Sequence, residues 1–256
     1  MIKLFRHIRQ SMINKNRTKK YVLYAIGEII LVVIGILIAL SINNWNEHQK
    51  AIALEKVYYC RLLEDFKLDE QLIEKSFNLV IQKIISGKNV LLDLHKGNKD
   101  RNTILNDYLN TLRLDVYVPS KVTFEDLKSS GNLKLISDVE LKNTLLRYYS
   151  DLENILKQMN QNRDELVKRS FPEHPVAFGI QEFNYIKSSL GDEILNLLQS
   201  EDWTKDKTSA EFIEFQDNLV FILTMYERHK HHLDSLRNLM ETPYVLLKNN
   251  CQNTNS

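Results

Sequence analysis

The sequence predicts an all-α protein: a single N-terminal transmembrane helix followed by an antiparallel helical-bundle domain. Three observations predict it. Residues 21–42, YVLYAIGEIILVVIGILIALSI, form one apolar run with Glu28 and Ser41 as its clearly polar members. Downstream, apolar residues recur at steps of three and four, the period of a helix face. The 256 residues include only 7 Gly and 4 Pro, fewer turn-formers than a Rossmann fold, a TIM barrel or a many-turned sandwich needs.

The first twenty residues carry seven basic side chains (Lys3, Arg6, Arg9, Lys15, Arg17, Lys19, Lys20) and no acidic one. Within them, Ile2, Phe5, Ile8, Met12 and Ile13 follow helical spacing. Residues 1–20 therefore read as a basic cytoplasmic segment, either lying along an anionic leaflet or acting only as a topology signal.

Residues 21–42 are read as the transmembrane helix, since 22 residues rise about 33 Å, enough for the hydrocarbon core. The run is longer than a signal-peptide core, and Asn43-Asn44-Trp45-Asn46 offers no small-x-small cleavage site. Tyr21 and Tyr24 at one end and Trp45 past the other are the expected interface anchors. After the run, residues 43–62 carry only Lys50, Lys56 and Arg61. The basic flank stays inside, so the expected location is a bacterial inner membrane, with the N-terminus cytoplasmic and the following domain periplasmic.

Residues 43–248 are read as the extracytoplasmic domain. Val57/Tyr58, Leu62, Phe66, Ile73, Phe77, Val80 and Ile84 mark a long helix over 43–86 whose stripe skips Asp69 between Phe66 and Ile73. Gly87 is expected to break or bend it before a short run over 88–95. Residues 102–115 form a further helix, and Pro119 biases Val116–Val118 towards extended backbone. Thr123 and Asp126 match a capping box, Gly131 ends that short helix, and Ser137 or Asp138 caps the next one. That helix carries Leu141, Leu145, Tyr148, Leu152 and Met159 and runs to about Lys168. Pro172 and Pro175 make 170–177 a loop, and Gly191 divides two short helices. The last long helix is expected over 210–241, with Pro243 after it and a disordered tail at 249–256. The three long helices bury their stripes against one another, and the short segments cross or cap them.

The anchor, Tyr24-Ala25-Ile26-Gly27-Glu28 through Leu40 and on to Ile42-Asn43-Asn44-Trp45-Asn46, resembles an uncharacterised bacterial membrane-protein family, domain of unknown function 6090. Leu127-Lys128-Ser129-Ser130-Gly131, Leu135-Ile136 and the Leu145–Tyr149 stretch are similar to its body. The resemblance implies a small inner-membrane protein with a helical domain. It implies no catalytic residue.

Charge and motifs narrow the function. Basic and acidic residues number 34 and 33; setting aside residues 1–20 and Glu28 leaves 27 and 32, a net of −5. A body of that sign argues against nucleic acid as a partner, and against Tyr58-Tyr59 or Tyr148-Tyr149 stacking on bases. No serine elbow, P-loop, dinucleotide fingerprint or HExxH spacing occurs, so no catalytic, cofactor-binding or metal-binding residue is assigned. His229 and His232 lie i,i+3, with Arg228 and Lys230 adjacent, and read as a basic solvated face. Paired acids such as Glu64/Asp65 read as solubility residues. Cys60 and Cys251 are free to pair if both are external, but the expected tail argues against it.

In the anchor, Glu28 sits about 10 Å inside the boundary by helical rise, either tolerated there or sheltered at a helix contact. Gly35 and Ala39 form a small-xxx-small pair, so Glu28, Gly35 and Ala39 are the candidate transmembrane contact. The leading expectation is a non-enzymatic, membrane-anchored protein-interaction or envelope-organising module. Its partners would be the lipid bilayer and either a second copy or another envelope protein. Two alternatives stand beside it: an extracytoplasmic sensor coupled to a separate cytoplasmic partner, and a membrane-tethered enzyme with no recognisable motif.

Overall fold

The computed structural model describes residues 18–112 and 116–252, with side chains from Val22 onward. The basic amphipathic stretch 2–13 and the end of the tail lie outside the described residues. All the described secondary structure is helical. Its α-helices are α1 (Thr18–Lys96), α2 (Arg101–Leu112), α3 (Val122–Ser129), α4 (Val139–Ser170), α5 (Pro175–Phe178), α6 (Asn184–Leu197) and α7 (Ala210–Gln252). Short 3₁₀ turns lie at Asn132–Leu135, Ile180–Glu182 and Trp203–Lys205. The chain divides into two compact units, Met1–Lys56 and Val57–Ser256.

In the first unit, α1 carries an apolar stretch long enough to cross a membrane. Leu31, Ile36, Leu37 and Leu40 all stand exposed, as does Trp45. Each leucine left exposed in water forfeits about 1.5–3 kcal/mol of burial.

In the second unit, α1 and α7 run antiparallel. Cys60 is joined to Cys251, the Arg237 guanidinium lies over the Phe77 ring, and His95 meets Phe212 edge-on. Helix α7 is also antiparallel to α4, as Asp138 with Asn250 and Arg169 with Phe221 show. Helix α4 is therefore parallel to α1, which requires the chain to travel back between them. It does so through α2, the non-helical residues 116–121 and α3. Lys83 donates to the carbonyl of Asn110, Ser120 bonds Asp69, and Tyr58 and Arg61 reach Asp126. The short segments thus fill the fourth position of an up-down-up-down bundle rather than only crossing or capping three helices. Leu62, Leu127, Leu141, Leu145, Leu152, Leu219 and Leu236 are fully buried within it.

Four local expectations are corrected. Gly87 does not break α1. A Cβ there would sit 2.7 Å from the Leu223 side chain and 3.3 Å from Thr111, so the glycine permits close approach of α7 and α2. Helix α7 does not stop before Pro243; it continues through that buried proline to Gln252, its last turns held by Leu247 in the core and by the disulfide. The Cys60–Cys251 pair is formed because this helical continuation brings the two Cα atoms to 5.1 Å, inside the range a bridge spans. Thr123 is not the cap of α3, which begins at Val122 with Lys121 before it. Asp138 does cap α4, accepting from the Leu141 amide at 3.0 Å.

The segment between α4 and α7 closes one end of the bundle. Trp203 packs against Phe178 and Phe215 and donates to the Phe178 carbonyl at 3.0 Å. Arg101, 9% exposed, donates to the Ser200 carbonyl and hydroxyl at 3.1 and 2.9 Å, to the Glu201 carbonyl at 2.5 Å and to Glu182. Gly179 adopts φ +90°, and a Cβ on it would meet the Arg101 guanidinium at 3.2 Å. Both conditions favour glycine there.

Candidate functional site

The chemistry of the second unit concentrates where α1 faces residues 116–123 and α4. Asp65 and Asp69 stand one turn apart on α1, so both carboxylates project to one face. Asp69, in the gap of the apolar stripe, is 1% exposed. One of its oxygens accepts from the Ser120 amide at 2.6 Å. Asp65 accepts from the Ser120 hydroxyl at 2.8 Å and from the Thr123 amide at 3.0 Å. Asp65 thus serves a free amide at the start of α3, the service a capping side chain normally supplies from within its own helix. It is a structural ligand of the backbone and not a solubility residue.

Three tyrosines close over this pair. Tyr117, Tyr148 and Tyr149 are buried and their hydroxyls have no protein partner. Their rings are held by Phe66, 4.7 Å from Tyr148, and by Phe124, stacked 3.7 Å from Tyr149. Burial pushes all three phenols well above their ordinary range, and the nearby Asp69 carboxylate adds to this. Asp69 is itself pushed up to about 7, first by burial and then by Asp65, while the Ser120 amide works in the opposite direction. Burial disfavours the charged form of a carboxyl, and a second carboxylate beside it acts in the same direction.

Tyr117 also lines a chamber of about 30 Å³ between α4 and α7, together with Met159, Leu166, Met225, Tyr226 and His229. His229 does not belong to a solvated basic face: its Nε2 is buried without a partner. Burial, followed by His232, holds its imidazole down at about 4. His232 lies 3.5 Å from Asn162. Among the described residues, no group of three or more His, Cys, Asp or Glu is placed to hold a metal.

A wider groove of about 870 Å³ lies between α1 and α7. Its floor is Ile73, Met240 and Tyr244, and its rims carry Glu70, Glu74, Arg237 and Glu241. Val245 stands exposed on one side.

The residues singled out in the anchor all fall on α1. Glu28 is half-buried and engaged. Gly35 and Ala39 are exposed one turn apart, and a Cβ on Gly35 would meet nothing within 4 Å. Tyr24 is partly covered and Trp45 is 65% exposed; the side chain of Tyr21 lies outside the described residues. Sequence reasoning missed Asp69, Arg101 and the tyrosine cluster. The available signal was Asp69 itself, a carboxylate in register with Leu62, Phe66 and Ile73.

Comparison with curated proteins and with solved structures finds no match. A family of unknown function (DUF6090) matches residues 28–167, which takes in most of the apolar segment, the Asp65–Asp69 pair and the tyrosines of α4. That span exceeds half of the chain, and the protein belongs to this family.

Proposed function

We propose that the protein is a single-pass bacterial inner-membrane protein whose periplasmic helical bundle is a non-enzymatic protein-interaction module. The apolar segment of α1 is the anchor, with Tyr21 and Tyr24 at the inner interface and Trp45 at the outer one. Two independent observations support the orientation. The basic residues cluster before the anchor, and Cys60–Cys251 is a disulfide, a bond that persists in oxidising compartments. A reporter active only in the cytoplasm, fused after Ser256, should stay inactive; activity there would reverse the orientation.

The groove between α1 and α7 carries the interaction reading. An apolar floor with charged rims is the form of a surface that receives an amphipathic helix. The carboxylates of the Asp65–Asp69 pair, by contrast, are occupied with backbone amides of their own chain. A photo-crosslinking residue at Val245 should give one discrete protein adduct in native membranes. The same residue at Glu165, on an exposed part of α4, should give none. Equal labelling at both positions would remove the groove from the reading.

The anchor supplies a second contact, with a like helix or a partner's. The small pair Gly35 and Ala39 permits close packing beside Glu28. Gly35→Leu should reduce anchor crosslinking more than Glu28→Gln, because membrane hydrogen bonds average only about 0.6 kcal/mol. One observation favours a sensor as the second reading: the apolar segment and the buried Asp69 belong to the same helix, α1. A sensor of this kind requires a separate cytoplasmic partner, since twenty residues cannot fold a signalling domain.

A further inference from the structure

We propose, resting on the reading of the α1–α7 groove as a helix-receiving surface, that its partner helix carries a lysine or arginine beside the apolar stripe, seated between Glu70 and Glu241. Helices α1 and α7 are held together on either side of the groove. The Cys60–Cys251 bridge brings their Cα atoms to 5.1 Å, and at Gly87 the Leu223 side chain lies where a Cβ would stand. Between those points the helices leave about 870 Å³ over Ile73, Met240 and Tyr244. The lining of α1 runs from Glu70 to Asn78, a rise of about 12 Å, or just over two turns of a docked helix.

The disulfide fixes the register of the two rims. Glu70 lies ten residues on from Cys60, and Glu241 ten residues back from Cys251. In antiparallel helices the two glutamates therefore stand at one level, one on each rim. Both are exposed and both line the groove, and among the described residues neither is in an ion pair. The cations of the lining are placed elsewhere. Arg237 pairs with Asp234 at 3.1 Å and Glu74 at 4.0 Å, its guanidinium over the Phe77 ring. Lys75 is more than a turn further along α1 from Glu70, and Lys67, a turn before it, lies outside the groove. Like charges at one level across a cleft repel, and both favour a cation set between them. A helix with acidic flanks meets the same pair as a penalty, so the two glutamates also exclude partners.

The test uses the full chain in nanodiscs of zwitterionic lipid, with a photo-crosslinking residue at Val245. The probes are two synthetic amphipathic helices that share one leucine stripe, flanked by lysines in one and by glutamates in the other. The lysine helix should label Val245 with an apparent affinity at least about tenfold tighter than the glutamate helix. Added salt should weaken the lysine helix and not the glutamate helix, which tests the charge without any substitution in the groove. Glu70→Lys with Glu241→Lys should abolish or invert the preference. Glu153→Lys with Glu165→Lys, the same change of charge at exposed positions of α4, should leave it intact. Equal labelling by both helices, or a preference that survives reversal of the two groove glutamates, would overturn the charge assignment and leave the groove as a docking surface. Labelling by neither helix would overturn the groove reading with it.

Discussion

The second unit buries ionic groups at two places and treats them oppositely. Arg101, towards the Trp203 end, meets a full set of acceptors: Glu182, two carbonyls and a hydroxyl. Asp69, towards the Cys60–Cys251 end, meets one amide, a neighbouring carboxylate and three tyrosines whose hydroxyls lack protein partners. A buried charge with every hydrogen bond made acts as a fastening, and removing it strands its partners. A buried charge with few bonds is better neutralised, and its proton becomes a variable of the fold. The difference separates the end that is locked from the end that can respond.

The largest expected effect tests the lock. Arg101→Met keeps much of the side-chain volume but leaves Glu182 and the acceptors at Ser200 and Glu201 without their donor. Breaking one partner of a buried pair costs about 3–5 kcal/mol. Urea unfolding of the full chain should show a loss of that size. A loss under about 1 kcal/mol would mean that solvent serves these acceptors, and the contrast between the ends would vanish.

The next effect concerns why the other end holds together despite its polar deficit. The disulfide lies there, Cys60 being little more than a turn from Asp65 on α1, and it closes a separation of 191 residues. Cross-links of long loops contribute about 2–5 kcal/mol, chiefly by restricting the unfolded chain. Cys60→Ala with Cys251→Ala should lose that amount. Hydrogen exchange should rise first at α3 and at the last turns of α7, with the amides around Arg101 still protected. Uniform loss of protection would show that the two ends unfold as one.

How much of this could be read beforehand depends on the kind of signal. The stripes of α1, α4 and α7 are long and periodic, so the helices and the fully buried Leu145 follow from spacing alone. Boundaries depend on tertiary context and do not. Pro243 ends an isolated helix by losing an amide donor, yet here burial and a disulfide carry α7 past it. Gly87 reads as a breaker until Leu223 is seen where its Cβ would lie. Arg101 sits beside a polar turn and shows nothing of its four acceptors, which come from residues eighty or more positions away. Asp69 was visible as a fault in an apolar stripe, and its meaning emerges only with Ser120 and the tyrosines in place.

The responsive end predicts a pH signature with two opposed parts. Asp69 has a folded pKa of about 7, above its ordinary 3.8. Its protonation therefore favours the fold, and stability falls as pH rises from about 4 to 7. His229 has a folded pKa of about 4, below its ordinary 6.5. It contributes full stability above 6.5 and loses it as pH falls towards 4. Between these values the two slopes oppose each other. Asp69→Asn retains an acceptor for the Ser120 amide and removes the Asp69 slope. The variant should exceed the parent by about 1–3 kcal/mol at pH 8 and match it near pH 4.5. A variant equally destabilised at both values would show that Asp69 is held as an anion, like a fully partnered charge.

The smallest expected effect discriminates most finely between the ends. Tyr148→Phe removes a hydroxyl that is buried without a protein partner and leaves the ring packed on Phe66. A buried polar group with no bond costs about 1–3 kcal/mol, so its removal should be neutral or stabilise by up to about 1 kcal/mol once local relaxation is allowed. Tyr108→Phe is the matched change towards the other end, where the hydroxyl donates to the Ser170 carbonyl at 3.2 Å. That change should cost about 1 kcal/mol, the net worth of an ordinary hydrogen bond. Thermal unfolding at pH 6, where Asp69 is largely protonated, isolates the hydroxyls from its charge. Opposite signs for the two variants would show that satisfaction, and not burial, distinguishes the two ends. Equal losses would mean that the Tyr148 hydroxyl has found the protonated Asp69 as its partner, and the responsive end would then be closed by its own proton.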